Sequence, residues 1–449
     1  MSVRTVAAAL LSLTAACSPP DPGPPDAGPD APPAVPRTDI LSYKAIANPD
    51  LDLLFVIDDS PSMLDKQTSL KAAFPALVAQ LSQMSGGVPN LHLGVISTDM
   101  GTKGSGVTAP GPTIGSGPGA CSGTGKNGRL QKGTASITDD YLRLDRSGAK
   151  NFTGTLAGEF SAMASLGANG CGFEQHLQAL RTALSAGANP GFLRDSANLA
   201  VVILTDEDDC SLLNPSMLGP ESAALGPLQS FRCTRFGVEC SPDDINDPGT
   251  KSGCKPRAAS TYVEDITPFR DALLAAKGGD ARHLSLGVIA GNASPVMIEL
   301  RTPPGGSTAV TALAHSCTYA TGSGQAVADP AVRLGALADA LGSHGVMASV
   351  CADDLTPAAI TVASNIGPLV GDTCLPRAIA QPANCIVTET HDAQPGAKTE
   401  IQRCGAGVGG LCYDIVDDAA CAAAPHQRLA ITRSDAPAQD EWITLSCAL

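Results

Sequence analysis

Four short apolar runs punctuate the chain: Leu51–Asp58 (LDLLFVID), Leu91–Ser97 (LHLGVIS), Leu199–Asp206 (LAVVILTD) and His283–Ala290 (HLSLGVIA). Each is dense in Leu, Val and Ile with little polar alternation, the pattern of a strand covered on both faces in a parallel sheet. Between them the apolar positions follow a helical period. Leu70, Phe74, Leu77, Val78 and Leu81 form one stripe in Lys66–Met84, and Leu177, Leu180 and Leu184 another in Glu174–Ala186. Ile266, Phe269, Leu273 and Leu274 do the same in Val263–Lys277, as do Val332, Leu334, Leu337 and Leu341 in Ala331–Leu341. Strands alternating with helices over residues 45–370 predict an α/β domain with a doubly wound, mostly parallel sheet.

Two stretches interrupt that rhythm, residues 101–133, rich in Gly and Ser, and residues 207–261. Both begin just after a strand and so hang from the carboxyl edge of the sheet, where open α/β folds bind ligands. From Gly371 the pattern changes to short β-prone pieces, Cys385–Thr388 and Gln427–Thr432, with six cysteines in 79 residues. Residues 371–449 are expected to be a small Cys-rich domain, mostly β.

The first residues set the compartment. Met1–Cys17 (MSVRTVAAALLSLTAAC) has a positive Arg4, a short apolar stretch and Ala15-Ala16 before Cys17. It is too short to span a bilayer and reads as an export signal, residues 1–16. Cys17 directly after Ala-Ala resembles the lipobox of bacterial lipoproteins, which implies that Cys17 is lipidated and becomes the N-terminus. An ordinary signal peptide cut at Ala-x-Ala is the other reading. Residues 18–36 hold nine prolines in nineteen positions, a segment that cannot enter a core and reaches roughly 60 Å at ~3.1 Å per residue. A lipidated Cys and a Pro-rich linker over residues 17–44 make a tether to the membrane. Ser18 is not the aspartate that retains lipoproteins in the inner membrane of enteric bacteria; by that analogy the protein is an outer-membrane lipoprotein facing the periplasm or the cell surface.

Cysteine usage agrees with export. Apart from Cys17 there are fourteen, Cys121, Cys171, Cys210, Cys233, Cys240, Cys254, Cys317, Cys351, Cys374, Cys385, Cys404, Cys412, Cys421 and Cys447. They fall in even groups of two, four, two and six along the chain, which implies up to seven disulfides in an oxidising compartment. No CxxC pair is present, so thiolate zinc sites are not expected. Asp plus Glu exceed Lys plus Arg by 44 to 29, for a net charge of −15. With no basic run, the chain is a poor ligand for a phosphate backbone, and nucleic acid is not expected as a partner.

Candidate chemistry sits where two of the apolar runs end. The first closes in Asp58-Asp59-Ser60-Pro61-Ser62 and the third in Asp206. Two carboxylates and two hydroxyls form a hard-oxygen set suited to Mg²⁺, Mn²⁺ or Ca²⁺. Taken singly, Ser60 and Ser62 are as well explained as helix caps and Asp58 as a turn residue.

Asp-x-Ser-x-Ser at the carboxyl end of a buried first strand resembles the metal-ion-dependent adhesion site (MIDAS) of von Willebrand factor A (VWA) domains, and Asp206 stands where that family has its third-loop aspartate. The resemblance covers residues 45–345, with Cys317–Ala320 and Ala331–Leu341 falling at the family's last strand and helix. It implies that Asp58, Ser60, Ser62 and Asp206 hold a divalent cation whose open position is filled by an exposed carboxylate of a protein partner. One departure is plain: the second loop, Gly167–Glu174 (GANGCGFE), has no threonine where the family supplies one, and Cys171 is near its place. A thiol suits a hard cation poorly, so Cys171 is expected in a disulfide, with Cys121 the natural partner. Glu174 is then a substitute ligand, an internal occupant of the open position, or a carboxylate favoured by a helix N-terminus.

Asp206–Asp209 place four acids in a row, for which a solvated loop is the commoner explanation and a second cation the rarer. Asp243–Gly249 (DDINDPG) fails the calcium-loop pattern at Pro248. Gly125-Lys126-Asn127 is not a phosphate loop, Ser60 stands where an aspartyl phosphatase has its second Asp, and no Gly-x-Ser-x-Gly or His-Glu-x-x-His occurs. The expected function is therefore non-enzymatic: a membrane-anchored, extracytoplasmic VWA-type binding and adhesion protein. A metal-independent structural or assembly lipoprotein of the envelope is the alternative, and a metal-dependent hydrolase the more distant one.

Overall fold

The computed structural model describes residues 37–83, 87–302, 307–322, 324–377, 379, 384–421 and 426–448. The expected export signal, Cys17 and the Pro-rich segment to Pro36 lie outside the described residues, as does Met84 at the end of the first predicted helix. Among the described residues no helix is long and apolar enough to cross a membrane.

Strand β1 (Arg37–Lys44) belongs to the second of two large sheets. The first is built from β2 (Asp50–Ile57), β3 (Asn90–Ser97), β4 (Leu142–Leu144), β5 (Asn198–Leu204), β6 (Leu284–Ala290) and β7 (Gly345–Ser349). Its order is β7-β6-β5-β2-β3-β4, parallel throughout except for the antiparallel edge strand β4. All four apolar runs are therefore neighbours at its centre. Alternate residues of β2 serve two cores: Leu51, Leu53, Phe55 and Ile57 face one layer, Leu54 and Val56 the other.

The helices are α1 (Leu64–Gln83), α2 (Leu156–Met163), α3 (His176–Leu184), α4 (Phe231–Gly237), α5 (Thr267–Ala275), α6 (Val332–Asp339) and α7 (Thr356–Ile366). Residues of α1, α2 and α7 cover the first face and residues of α3, α5 and α6 the second. Phe55 packs on Phe160 with ring centroids 4.7 Å apart, and Phe160 stacks on Phe74 at 3.8 Å. Such aromatic contacts add about 0.5–1.5 kcal/mol beyond area burial.

Two expectations are corrected. The segment Cys317–Ala320 is a strand, but it pairs only with Gly324–Ala328 in a separate hairpin. The last strand of the parallel sheet is β7, and α7 follows it. Strand propensity marked Cys317–Thr321 as extended; which sheet it joins depends on chain reversals that propensity does not encode. The molecule is also less regular than a doubly wound sheet alone, because small sheets, insertions and a second large sheet surround that core, making it mixed α/β.

The second sheet adds β8 (Cys385–His391), β9 (Gln394–Arg403), β10 (Cys412–Asp417), β11 (Gln427–Thr432) and β12 (Glu441–Ala448), in the order β1-β12-β8-β9-β10-β11. Residues Arg37–Lys44, assigned from sequence to the linker, are thus an edge strand antiparallel to the last strand. This module adjoins the amino edge of the parallel sheet. His283, just before β6, meets the Trp442 ring edge-on at 5.1 Å, and Arg282 lies 4.3 Å from that ring while pairing with Asp392 at 2.9 Å.

The fourteen cysteines form seven disulfides: 121–171, 210–233, 240–254, 317–351, 374–421, 385–447 and 404–412. Each closes within the even groups of the sequence, two of them inside the second insertion and three inside the C-terminal module. Such dense cross-linking fits an extracytoplasmic, oxidising compartment.

Candidate metal-binding site

Chain order places the site before any side chain is considered. From β2 the chain steps to β3 on one side, then crosses to β5 on the other. The carboxyl ends of β2 and β5 thus flank the switch point where the winding reverses, the position at which open α/β sheets leave a crevice. Residues at these ends are locked together: the Asp58 N–H donates to the Leu204 carbonyl at 3.0 Å and the Thr98 N–H to that of Ile57 at 3.3 Å.

Asp58, Asp59 and Ser60 are all buried. Asp58 Oδ1 accepts the Ser60 N–H at 2.8 Å, and Oδ2 accepts the Thr205 hydroxyl at 2.9 Å. The chain then enters a short 3₁₀ turn, Pro61–Met63, ahead of α1. The Ser60 side chain makes no capping bond to that turn, contrary to a purely structural account of this serine. Its hydroxyl lies 3.2 Å from the Ser62 hydroxyl, which donates to Asp206 Oδ1 at 3.1 Å. Asp58, Ser60 and Ser62 from one turn and Asp206 from far along the chain are therefore brought together in one continuous set.

Glu174 arrives just ahead of α3. It is 1% exposed, and its Oε1 has no hydrogen-bond partner. Burial pushes its carboxyl well above the usual range, and the charges of Glu207, Asp58 and Asp206 add to the effect. Glu207 is shifted the same way by burial, Asp329 and Asp206. Asp58 is pushed up to about 8, by loss of water first and Asp206 second, against its bonds from Ser60 and Thr205. Asp206 is raised as well by burial, opposed by the ammonium of Lys66 at 2.7 Å from its Oδ2. The buried carboxyls of Asp58, Glu174 and Asp206 and the partly buried Glu207 thus raise one another, with Lys66 the one cation at ion-pair distance among the described residues.

The run Asp206–Asp209 is not a solvated loop. Asp208 is buried and accepts the Arg333 N–H at 2.9 Å and the Leu334 N–H at 3.2 Å, capping the start of α6. Asp209, fully buried, holds the Arg333 guanidinium at 3.0 Å and accepts the Leu177 N–H at 3.0 Å in the first turn of α3. Two acids of the run face the site and two pin helices on either side of it. Solvation lost on burial is replaced by helix N–H groups and an arginine, a partnership that spacing alone does not disclose.

The second loop approaches through backbone. The Gly170 N–H donates to the Asp59 carbonyl at 2.8 Å. A Cβ at Gly170 would lie 2.4 Å from Asp59 Oδ1, so this close approach requires glycine. Gln67 on α1 ties the loop down, donating to the carbonyls of Asp58 at 3.0 Å and Gly167 at 2.8 Å. Cys171 is bonded to Cys121 as expected, joining this loop to the first insertion. On the flank, Asp59 accepts the Ser97 hydroxyl at 2.6 Å and pairs with Lys126.

Among the described residues no group of three or more His, Cys, Asp and Glu side chains is arranged to hold a metal ion. Asp58, Glu174 and Asp206 are thus not drawn around a single point, and the oxygens that do meet at the sheet edge are those of two carboxylates and two hydroxyls. Their chemistry fits a hard divalent cation, and the partnerless Glu174 Oε1 inside the carboxylate pocket is an acceptor that a cation would satisfy. Asp243 and Asp244 are engaged by Ser252 and Asn246 instead, in keeping with the failed calcium pattern. Two participants escaped sequence reasoning, Thr205 and Lys66, while Glu207 had been read only as part of a solvated acidic run. Thr205 precedes Asp206 and was open to suspicion by adjacency; Lys66 is one helical turn beyond Ser62, a spacing shared by many solvent-facing lysines.

No protein-family model matches the chain, and no curated protein matches it. Solved structures that match include a von Willebrand factor type A protein from Catenulispora acidiphila, at 11% identity over 93% of this chain and 67% of that one, with a TM-score of 0.31. Another is the pilus adhesin RrgA from Streptococcus pneumoniae, at 11% identity over 91% of this chain and 57% of the adhesin, with a TM-score of 0.29. Similarity this low carries nothing about function; the α/β fold and the edge site stand on the geometry above.

Proposed function

We propose that the chain is a lipid-anchored extracytoplasmic binding protein whose parallel-sheet unit works as a VWA-type module. In this reading Asp58, Ser60, Ser62 and Asp206, with Glu174, hold Mg²⁺, Mn²⁺ or Ca²⁺. When bound, the ion supplies a Lewis-acidic position for an exposed carboxylate of a protein partner. The chain's own residues do the rest: Thr205 and the Ser60 N–H orient Asp58, Ser62 bridges to Asp206, and Gln67 with Gly170 keeps the second loop against the site. No catalytic group is assigned.

The observation that carries the reading is the convergence of two carboxylates and two hydroxyls from adjacent strand ends at the switch point. The test is calorimetric titration of each ion into the full chain and into Asp58→Ala, followed by chelator-controlled capture of partners. One-site binding lost in the variant is the expected result; equal heats from both proteins would sink it.

A second reading has one observation in its favour. The Lys66 ammonium already neutralises Asp206, as a metal-independent scaffold of the cell envelope would require. Partner binding that persists in excess chelator would select it.

A further inference from the structure

Lys66 belongs to the first turn of α1, four residues after Ser62. Its Nζ lies 2.7 Å from Asp206 Oδ2 and donates to the Ser62 carbonyl at 3.1 Å; both side chains of the pair are 3% exposed. Among the described residues it is the only Lys, Arg or His within ion-pair distance of Asp58, Glu174, Asp206 or Glu207. A long lysine stem generally keeps its charge in water and buries only its methylenes. Here the charge itself is buried, directed at an oxygen of a candidate ligand.

We propose that the Lys66 ammonium is a built-in competitor of the divalent cation: it occupies Asp206 in the ion-free protein and sets the affinity of the site. The inference rests on the metal reading above and adds what regulates it. Affinity for hard cations follows the charge of the ligand set, and an ammonium touching one ligand removes one unit of that charge. A divalent ion drawing on Asp206 must share the carboxylate with Lys66, leaving it only Oδ1, or displace an ammonium on a flexible four-carbon stem. Either way binding is weakened, and the site responds to ion concentration rather than staying saturated. Asp58, with no Lys, Arg or His at ion-pair distance among the described residues, is not subject to this competition.

The experiment is titration of Mn²⁺ and Mg²⁺ by calorimetry into the full chain with its disulfides formed, beside Lys66→Met, Asp58→Ala and the double variant. Lys66→Met is expected to bind Mn²⁺ at least about tenfold more tightly than the unaltered protein, a change of about 1.4 kcal/mol, with binding abolished in the double variant. Binding by Lys66→Met alone, with none by the unaltered protein, would also support the assignment. Equal or weaker affinity in Lys66→Met, with Asp58→Ala still abolishing binding, overturns the role of Lys66 and leaves the metal reading standing. No binding in any of the four overturns the metal reading, and the competition with it. Lys66→Gln, which keeps a donor for the Ser62 carbonyl without the charge, replaces the methionine variant should that fail to fold.

Discussion

Strand β2 and the residue that follows it hold two buried carboxylates six residues apart, and they are treated oppositely. Asp52, toward the amino end, accepts the Arg194 guanidinium at 2.7 Å and its N–H at 2.8 Å, with Lys277 at 3.8 Å. Asp58, at the carboxyl end, is as deeply buried but receives only a backbone N–H and a hydroxyl, with Asp206 and Glu174 for company. At the amino end burial raises the Asp52 carboxyl, but Arg194 and Lys277 oppose the shift. At the other end the neighbouring carboxylate Asp206 compounds it. A carboxylate whose cations come from the chain is part of the architecture; one left short of cations is kept available for something the chain does not supply.

The sharpest break in that contrast comes at the amino end. Asp52→Ala leaves Arg194 and Lys277 without their shared partner and should destabilise the protein by about 3–5 kcal/mol, read from denaturant midpoints, without altering metal titrations of the protein that remains folded. A loss under 1 kcal/mol would mean that Asp52 is no more architectural than Asp58. Replacing Cys121 and Cys171 by serine opens the link between the second loop and the first insertion and should cost about 2–4 kcal/mol. Weakened ion binding should accompany it, because Gly170 no longer holds position against Asp59; unchanged calorimetry would separate the loop from the site.

Proton linkage sharpens the comparison further. A carboxyl whose folded pKa is raised contributes stability that is full below its unfolded value, near 4, and is lost as pH rises through the folded value. Asp58 at about 8 and Asp208 at about 7 therefore make the ion-free protein progressively less stable from about pH 4 to about pH 8. Urea midpoints should fall across that range in chelator and fall less in excess Mg²⁺; a slope indifferent to Mg²⁺ counts against a cation at the site. Asp58→Asn, the smallest effect, should raise the ion-free stability by about 1 kcal/mol by removing one of the crowded charges, while abolishing ion binding. A drop in stability would place Asp58 beside Asp52 as a structural residue.

Much of this was legible in advance. The four apolar runs became adjacent strands, because a strand buried on both faces writes its environment into consecutive residues. Asp58, Ser60 and Ser62 were legible because one turn brings them together, and Asp206 because it ends such a run. The acids after Asp206 were misread as solvated: Asp208 and Asp209 meet Arg333, more than a hundred residues away, and nothing local announces a buried arginine. Helix α7 went unpredicted, since its Thr, Ile and Val are indifferent helix formers and its helicity comes from packing on α1 and the sheet.

By itself the sequence determined the strand and helix periods, the even cysteine groups that close as disulfides, and the oxygen donors carried on two strand ends, all legible from local stretches of the chain. Tertiary structure alone decided that Arg37–Lys44 joins the last strand some four hundred residues later, that Cys317–Thr321 stays outside the parallel sheet, and that Lys66 points its charge at Asp206. Pairing partners and buried charge contacts depend on which distant segments meet. That choice is made by the summed burial of the whole core, and no single stretch of sequence carries it.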